Sequence, residues 1–173
     1  MSDSSQDTSQ IILRTPRGED GYPLHQLIAA CPPLDSNSVY CNLLQCTHFA
    51  ETGVAAERNG ELVGFISGYI PPDQPDTLFI WQVAVHAAGR GHGLGKRMLK
   101  EILKRPACDQ VRFMDTTITD DNEASWKLFG SLARDLEAET QRSVKFDRDR
   151  HLGGQHDSEN LLRIGPFDRS LLL

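Results

Sequence analysis

The chain is 173 residues long, with 24% charged residues, 39% hydrophobic residues and a formal net charge of −6. That is the length of a single domain with a sizeable core and the composition of an ordinary soluble globular protein. The acidic balance argues weakly against nucleic acid as the main partner, and no apolar run approaches the roughly 20 residues of a membrane span.

The first ten residues, MSDSSQDTSQ, lack the basic and apolar regions of a signal peptide. They read as a disordered tail, residues 1–10, ahead of one domain over 11–173. Cys31, Cys41, Cys46 and Cys108 form no C-x-x-C pair and no zinc spacing. They read as reduced thiols of a cytoplasmic protein, and nothing marks one of them as an activated acyl carrier.

In chain order, Ile11–Thr15 reads as a first strand, broken by Pro16-Arg17-Gly18. Glu19–Cys31 has apolar residues at helical spacing and is stopped by Pro32-Pro33. Leu34-Asp35-Ser36-Asn37 offers caps for a second helix, with Val39, Tyr40, Leu43, Leu44 and Thr47 roughly on one side. Asn59-Gly60 between β-prone Gly53–Arg58 and Glu61–Ile70 predicts a hairpin. After the Pro71–Asp76 loop, Leu78–Val85 is almost continuously apolar, as a strand buried on both faces should be. A glycine-rich turn follows. From Leu94, the residues Leu94, Met98, Leu99, Ile102 and Leu103 line one helical face as far as about Lys104. Gln110–Ile118 is a strand, and Thr119 or Asp120 caps a helix over Asp121–Leu136. Glu139–Phe146 is a strand, Asp147–Asn160 a long polar loop and Leu161–Phe167 the last strand. No internal repeat is visible. The order β-α-α-β-β-β-α-β-α-β-β predicts an α/β fold, a mixed sheet with helices on both faces.

The turn Arg90-Gly91-His92-Gly93-Leu94-Gly95-Lys96 carries the strongest chemical signal. Alternate glycines let backbone approach a ligand closely, and a following helix offers unpaired N–H groups and a positive dipole end. A P-loop would need glycine at Arg90 and Ser or Thr at Arg97, and a dinucleotide fingerprint would need glycine at Lys96. A glycine-rich β–α loop that binds nothing is the plain alternative. The pattern present is R-x-x-G-x-G, over Arg90, Gly93 and Gly95, which resembles the acyl-CoA pyrophosphate loop of the GNAT N-acetyltransferases.

That resemblance covers nearly the whole chain. It implies a central strand splayed from its neighbour, with Val83, Ala84 and Val85 binding the pantetheine arm of acetyl-CoA through their backbone. It implies a pyrophosphate cradle at Arg90, Gly91, Gly93, Leu94, Gly95 and Lys96. Asn122, within Asp121–Phe129, matches the family's N-x-x-A-x-x-L-Y segment and would contact the cofactor arm. The family's tyrosine, often the acid for the leaving thiolate, falls on Phe129, which cannot donate a proton. Another group or water then serves, or the thiolate leaves unprotonated.

A narrower resemblance lies outside the cofactor motifs. Pro32-Pro33-Leu34-Asp35-Ser36-Asn37-Ser38-Val39-Tyr40-Cys41-Asn42-Leu43-Leu44, followed by His48-Phe49, is similar to the PPLDxNSxYxxLL…HF segment of the L-2,4-diaminobutyrate acetyltransferases of ectoine synthesis. So is the late His156…Glu159…Leu162-Arg163-Ile164. The resemblance implies acetyl transfer from acetyl-CoA to the γ-amine of diaminobutyrate, no metal, and a homodimer. Asp35 and Glu159 are the candidate anions for the ammonium that must not react, since a carboxylate beside an ammonium keeps it protonated. Trp81 offers an apolar wall or a cation–π face, and Tyr40 and His156 offer hydrogen bonds. His156 or Glu159 is the candidate base, acting through water, and a backbone N–H near Val83 would polarise the acetyl carbonyl.

Plainer readings stand beside these. Asp35 is also placed to be a helix cap, Trp81 to be core, Tyr40 to pack beneath the second helix, and His151 with His156 to be solvated loop residues rather than metal ligands. Acetylation of a polyamine, ornithine or lysine, or a non-catalytic acyl-CoA-binding module, are the alternatives to the diaminobutyrate enzyme.

Overall fold

A computed structural model of the chain describes residues 10–91 and 93–172. Residues 1–9 of the expected tail, and His92 of the glycine turn, lie outside the described residues. The described residues form seven strands: β1 (Ile12–Arg14), β2 (Val54–Arg58), β3 (Glu61–Tyr69), β4 (Thr77–Val85), β5 (Phe113–Ile118), β6 (Thr140–Phe146) and β7 (Glu159–Ile164). They are ordered β1-β2-β3-β4-β5-β7-β6 in a mixed sheet. The described α-helices are α1 (Gly21–Ala29), α2 (Val39–Thr47), α3 (Leu94–Leu103) and α4 (Glu123–Asp135). The chain divides into two compact units, one of the residues up to Ser67 with Gln82–Ile102, the other of Gly68–Trp81 with the residues from Leu103 on.

In the first unit β1, β2 and β3 form an antiparallel meander. Its hairpin turns on Asn59 and Gly60, both at positive φ (52° and 79°), as the Asn-Gly signal requires. Neighbouring residues of β3 face opposite ways. Phe65 joins Leu24, Leu27, Ile28 and Cys31 of the α1 segment in one buried cluster. Gly64 points to the other side, where an added Cβ would lie 3.1 Å from Leu94 and Met98 of α3. The expectation of helices on both faces therefore holds at β3. Leu94, Met98, Leu99, Ile102 and Leu103 are all buried, as the helical spacing predicts.

Helix α2 differs from its expected packing. The apolar side expected from Val39, Tyr40, Leu43, Leu44 and Thr47 is not the side that buries; Asn42, Gln45 and Cys46 are. Those amides satisfy one another. Asn42 Nδ2 donates to Gln45 Oε1 at 2.9 Å, Gln45 Nε2 donates to Ser67 Oγ at 3.4 Å, and Asn42 Oδ1 lies 3.3 Å from His25 Nδ1. Burial of amides is tolerated because their bonds are made inside. The cap is Ser38, not Leu34–Asn37: its side chain accepts from the Cys41 N–H at 3.0 Å.

In the second unit β4 and β5 pair in parallel over Thr77–Ile80 and Phe113–Thr116. Beyond that register β4 continues to Val85 and β5 to Ile118. β7 runs antiparallel to both β5 and β6. Here too boundaries shift. β5 starts at Phe113 rather than Gln110. β7 begins at Glu159, inside the expected loop, and ends at Ile164, because Gly165-Pro166 follows and proline cannot donate to a ladder. The α4 cap is Asn122 rather than Thr119 or Asp120.

Candidate active site

The cofactor candidates lie where β4 leads into α3. Gly91 and Gly93 adopt positive φ (86° and 62°), which side chains disfavour, and a Cβ at either would meet nothing within 4 Å. Backbone conformation, rather than crowding, thus calls for glycine. Arg97 N–H donates to Gly93 O at 3.1 Å as a helical bond. Leu94 and Gly95 lie in the first turn of α3, where backbone N–H groups point along the helix axis toward an anion. Leu94 is buried and anchors the turn, while Arg90 is exposed. Val85 O accepts from Arg90 Nε at 3.4 Å and from Cys31 Sγ at 3.5 Å. Of the expected pantetheine-binding trio, Ala84 is buried in the core, and Val83 and Val85 are half-buried. A short 3-10 turn, Ala87–Gly89, joins β4 to the loop, capped where His86 Nδ1 accepts from Ala88 N–H at 3.1 Å.

In the same unit Asp35 is exposed, and its backbone is tied to β4. Gln82 Nε2 donates to Asp35 O at 3.1 Å, and Asn37 Nδ2 donates to Gln82 Oε1 at 3.2 Å. Tyr40 is 70% exposed on α2, so it does not pack beneath that helix.

The second unit holds the other candidates. Trp81 is 41% exposed, not plain core, and meets Tyr69 edge-on at 5.9 Å between ring centroids; Phe79 lies 5.4 Å from Tyr69. Just before β7, His156 Nε2 lies 4.0 Å from Glu159 Oε1. His156 Nδ1 lies 2.6 Å from Asp157 O. A carbonyl oxygen only accepts, so Nδ1 carries the hydrogen and the neutral ring holds its lone pair on Nε2. Asn122 sits at the α4 terminus, where its Oδ1 accepts from Ser125 N–H at 3.2 Å, leaving Nδ2 as the donor it can turn to a ligand. Phe129, at the family's tyrosine position, is 2% exposed.

Sequence reading missed Gln82 and the buried Asp115. The Asp115 carboxylate receives both its bonds from Arg163 Nη1 at 3.1 Å, and Arg163 also lies 3.9 Å above the Phe113 ring. Burial pushes Asp115 up despite the Arg163 charge. The one available signal was an acid on β5 in an otherwise apolar and threonine-rich strand. Among the described residues no group of three or more His, Cys, Asp or Glu is placed to hold a metal, and no helix is long and apolar enough to cross a membrane.

A family model described as Acetyltransferase (GNAT) family matches residues 22–133. The chain is 54% identical to an L-2,4-diaminobutyric acid acetyltransferase of Methylotuvimicrobium alcaliphilum, over 91% of each chain. It is 51% identical to the protein of the same name from Bordetella parapertussis, over 90% of this chain and 84% of that one. Among solved structures it is similar to the diaminobutyrate acetyltransferase EctA of Paenibacillus lautus, in complex with its substrate L-2,4-diaminobutyric acid and coenzyme A. That match has a TM-score of 0.88 and 37% identity, over 92% of this chain and 97% of the other.

Proposed function

We propose that this chain, which belongs to the acetyltransferase (GNAT) family, transfers the acetyl group of acetyl-CoA to the γ-amine of L-2,4-diaminobutyrate, in service of ectoine synthesis. The observation that carries the reading is the Pro32–Leu44 segment. By the family resemblance it belongs to the substrate side, where acetyltransferases differ from one another, and its Asp35 carbonyl is bonded to Gln82 of the central strand β4. The relatives named for this activity support it. Residues 11–173 act as one catalytic domain on this reading, since the family match draws residues from both compact units.

The Gly91–Lys96 turn and the first N–H groups of α3 fit a pyrophosphate, and Arg90 adds charge. Asn122 Nδ2 and the backbone of Val83–Val85 would hold the pantetheine arm. Acetyl-CoA supplies an acyl group on a thiol leaving group. The Val83 N–H stabilises negative charge as it develops on the carbonyl oxygen. Asp35 is the proposed anion for the ammonium that stays charged, with Tyr40 offering a hydrogen bond, and the resemblance gives Glu159 and Trp81 substrate-binding roles as well. His156 Nε2 draws the proton from the reacting amine through water, and the Glu159 carboxylate stabilises the imidazolium that results. A CoA-like thiol has a pKa near that of cysteine, about 8.5, so it departs without the acid that Phe129 cannot be. Much of the rate comes from holding amine and thioester together.

The same resemblance supports a homodimer, which light scattering tests, and four free cysteines suit a cytoplasmic enzyme.

The test is thiol release from acetyl-CoA with diaminobutyrate, ornithine, lysine, putrescine or a peptide amine offered separately, and NMR of the product. Release with diaminobutyrate, diminished in Asp35→Ala, and acetyl on the γ-nitrogen are expected. Release only with putrescine or a peptide would overturn the substrate. Tight CoA binding without release would leave a binding module.

A further inference from the structure

We propose that Gln82 is a positioning residue for the amine substrate, acting through Asp35. The inference rests on the reading that the Asp35 carboxylate binds an ammonium of diaminobutyrate.

Asp35 lies in the stretch between α1 and α2, ahead of the Ser38 cap. A carboxylate on an exposed turn selects an ammonium well only if the turn itself is fixed, because a wandering anion spends binding energy on its own ordering. Gln82 supplies that fixation with both halves of its amide. The Asp35 carbonyl accepts only, so the Gln82 atom 3.1 Å from it is Nε2. Oε1 is therefore the atom turned to Asn37, whose Nδ2 donates at 3.2 Å. One backbone carbonyl thus sets the orientation of two side-chain amides in series. Together they clasp the turn on both sides of Ser36. Gln82 also directly precedes Val83 on β4, so the strand that offers the carbonyl-polarising N–H is the strand that holds the turn. An uncharged amide of this length donates and accepts through one planar group. Glutamate keeps the acceptor for Asn37 but sets a negative charge against the Asp35 carbonyl. Methionine keeps length and apolar stem and makes neither bond.

The experiment compares wild type, Gln82→Met, Gln82→Glu, Asp35→Ala and the double variant Asp35→Ala/Gln82→Met, with each substrate varied in turn and Tm recorded. Losing two hydrogen bonds of ordinary strength should raise KM for diaminobutyrate on the order of tenfold in Gln82→Met, and at least as much in Gln82→Glu. KM for acetyl-CoA should stay within about twofold, since no candidate cofactor contact is touched. In the Asp35→Ala background Gln82→Met should add little, because coupled residues do not add. An unchanged KM for diaminobutyrate, a parallel rise in both KM values with a fallen Tm, or full additivity with Asp35→Ala would each overturn the proposal while leaving the diaminobutyrate reading intact. A wild type inert toward diaminobutyrate would overturn that reading and this inference with it.

Discussion

His156 holds its Nε2 4.0 Å from the Glu159 carboxylate while its Nδ1 is spent on the Asp157 carbonyl. The lone pair and the stabilising anion therefore meet on one side of the ring. A base so arranged works only when neutral, so the pH profile of kcat/KM should carry an acid limb. His156→Ala should lower kcat on the order of a hundredfold and flatten that acid limb. Glu159→Gln should cost less in kcat but raise KM for diaminobutyrate, if the carboxylate also meets an ammonium. A pH–rate profile of thiol release decides it. Full kcat in His156→Ala would move the base elsewhere.

Phe129 is buried where the family places a tyrosine. If the thiolate needs no acid, restoring the hydroxyl brings no rate. It adds a polar group to a buried position, at a cost of about 1–3 kcal/mol when unpartnered. Phe129→Tyr should thus lower Tm by several degrees, at roughly 2–4 °C per kcal/mol for a chain of this size, with kcat unchanged. A gain in kcat would show that protonation of the leaving group limits the wild type.

The sequence showed most clearly what depends on local pattern. The α3 face from Leu94 to Leu103, the Asn59-Gly60 hairpin and the glycine turn with its positive-φ residues all follow from spacing and backbone chemistry. What it hid is set by partners distant in the chain. Gln82 reads as one polar residue in an apolar strand until the Asp35 turn comes to rest on it, 47 residues away. Helix α2 buries Asn42 and Gln45 because Ser67 and His25 satisfy them, which no periodicity announces. Asp115 needs Arg163, 48 residues on, to be tolerated inside. Asn122 serves as the α4 cap because its own side chain reaches the Ser125 N–H, whereas Asp120 is engaged by Arg142 and by Asn160 Nδ2.

Asp20 sets the acid limit of the first unit. Burial pushes its carboxyl up, but the two bonds from Arg14, both 2.7 Å, and one from Arg17 N–H at 2.9 Å outweigh that and leave it below the ordinary aspartate range. A pKa lower in the folded than the unfolded state contributes stability that is full above about pH 4 and is lost as pH falls through the folded value. Asp20→Asn should cost on the order of 3 kcal/mol at neutral pH, the range for breaking a buried pair, and should remove that part of the acid sensitivity. Denaturant titrations at pH 7 and pH 3.5 measure both. Equal losses at the two pH values would show that the pair contributes no pH dependence.

Cys46 and Cys108 set the opposite limit. Both are buried, and burial pushes the thiols up to about 12 and about 11. The thiolate is the reactive form, so at pH 8 only about one buried Cys108 in a thousand is ionised. Iodoacetamide should therefore modify the partly exposed Cys41 first, and Cys46 and Cys108 only after denaturation, as peptide mass spectrometry would record. The sign for stability follows from the same shift. Above about pH 8.5 the unfolded thiols ionise while the folded ones stay protonated, so stability falls as pH rises toward 11–12. Cys108→Ala should lose less stability between pH 8 and pH 10.5 than wild type, and it should keep kcat, since it changes none of the candidate site residues. Labelling of Cys108 as fast as Cys41 in the folded enzyme would show instead that the segment around Pro106–Cys108 opens on the labelling timescale.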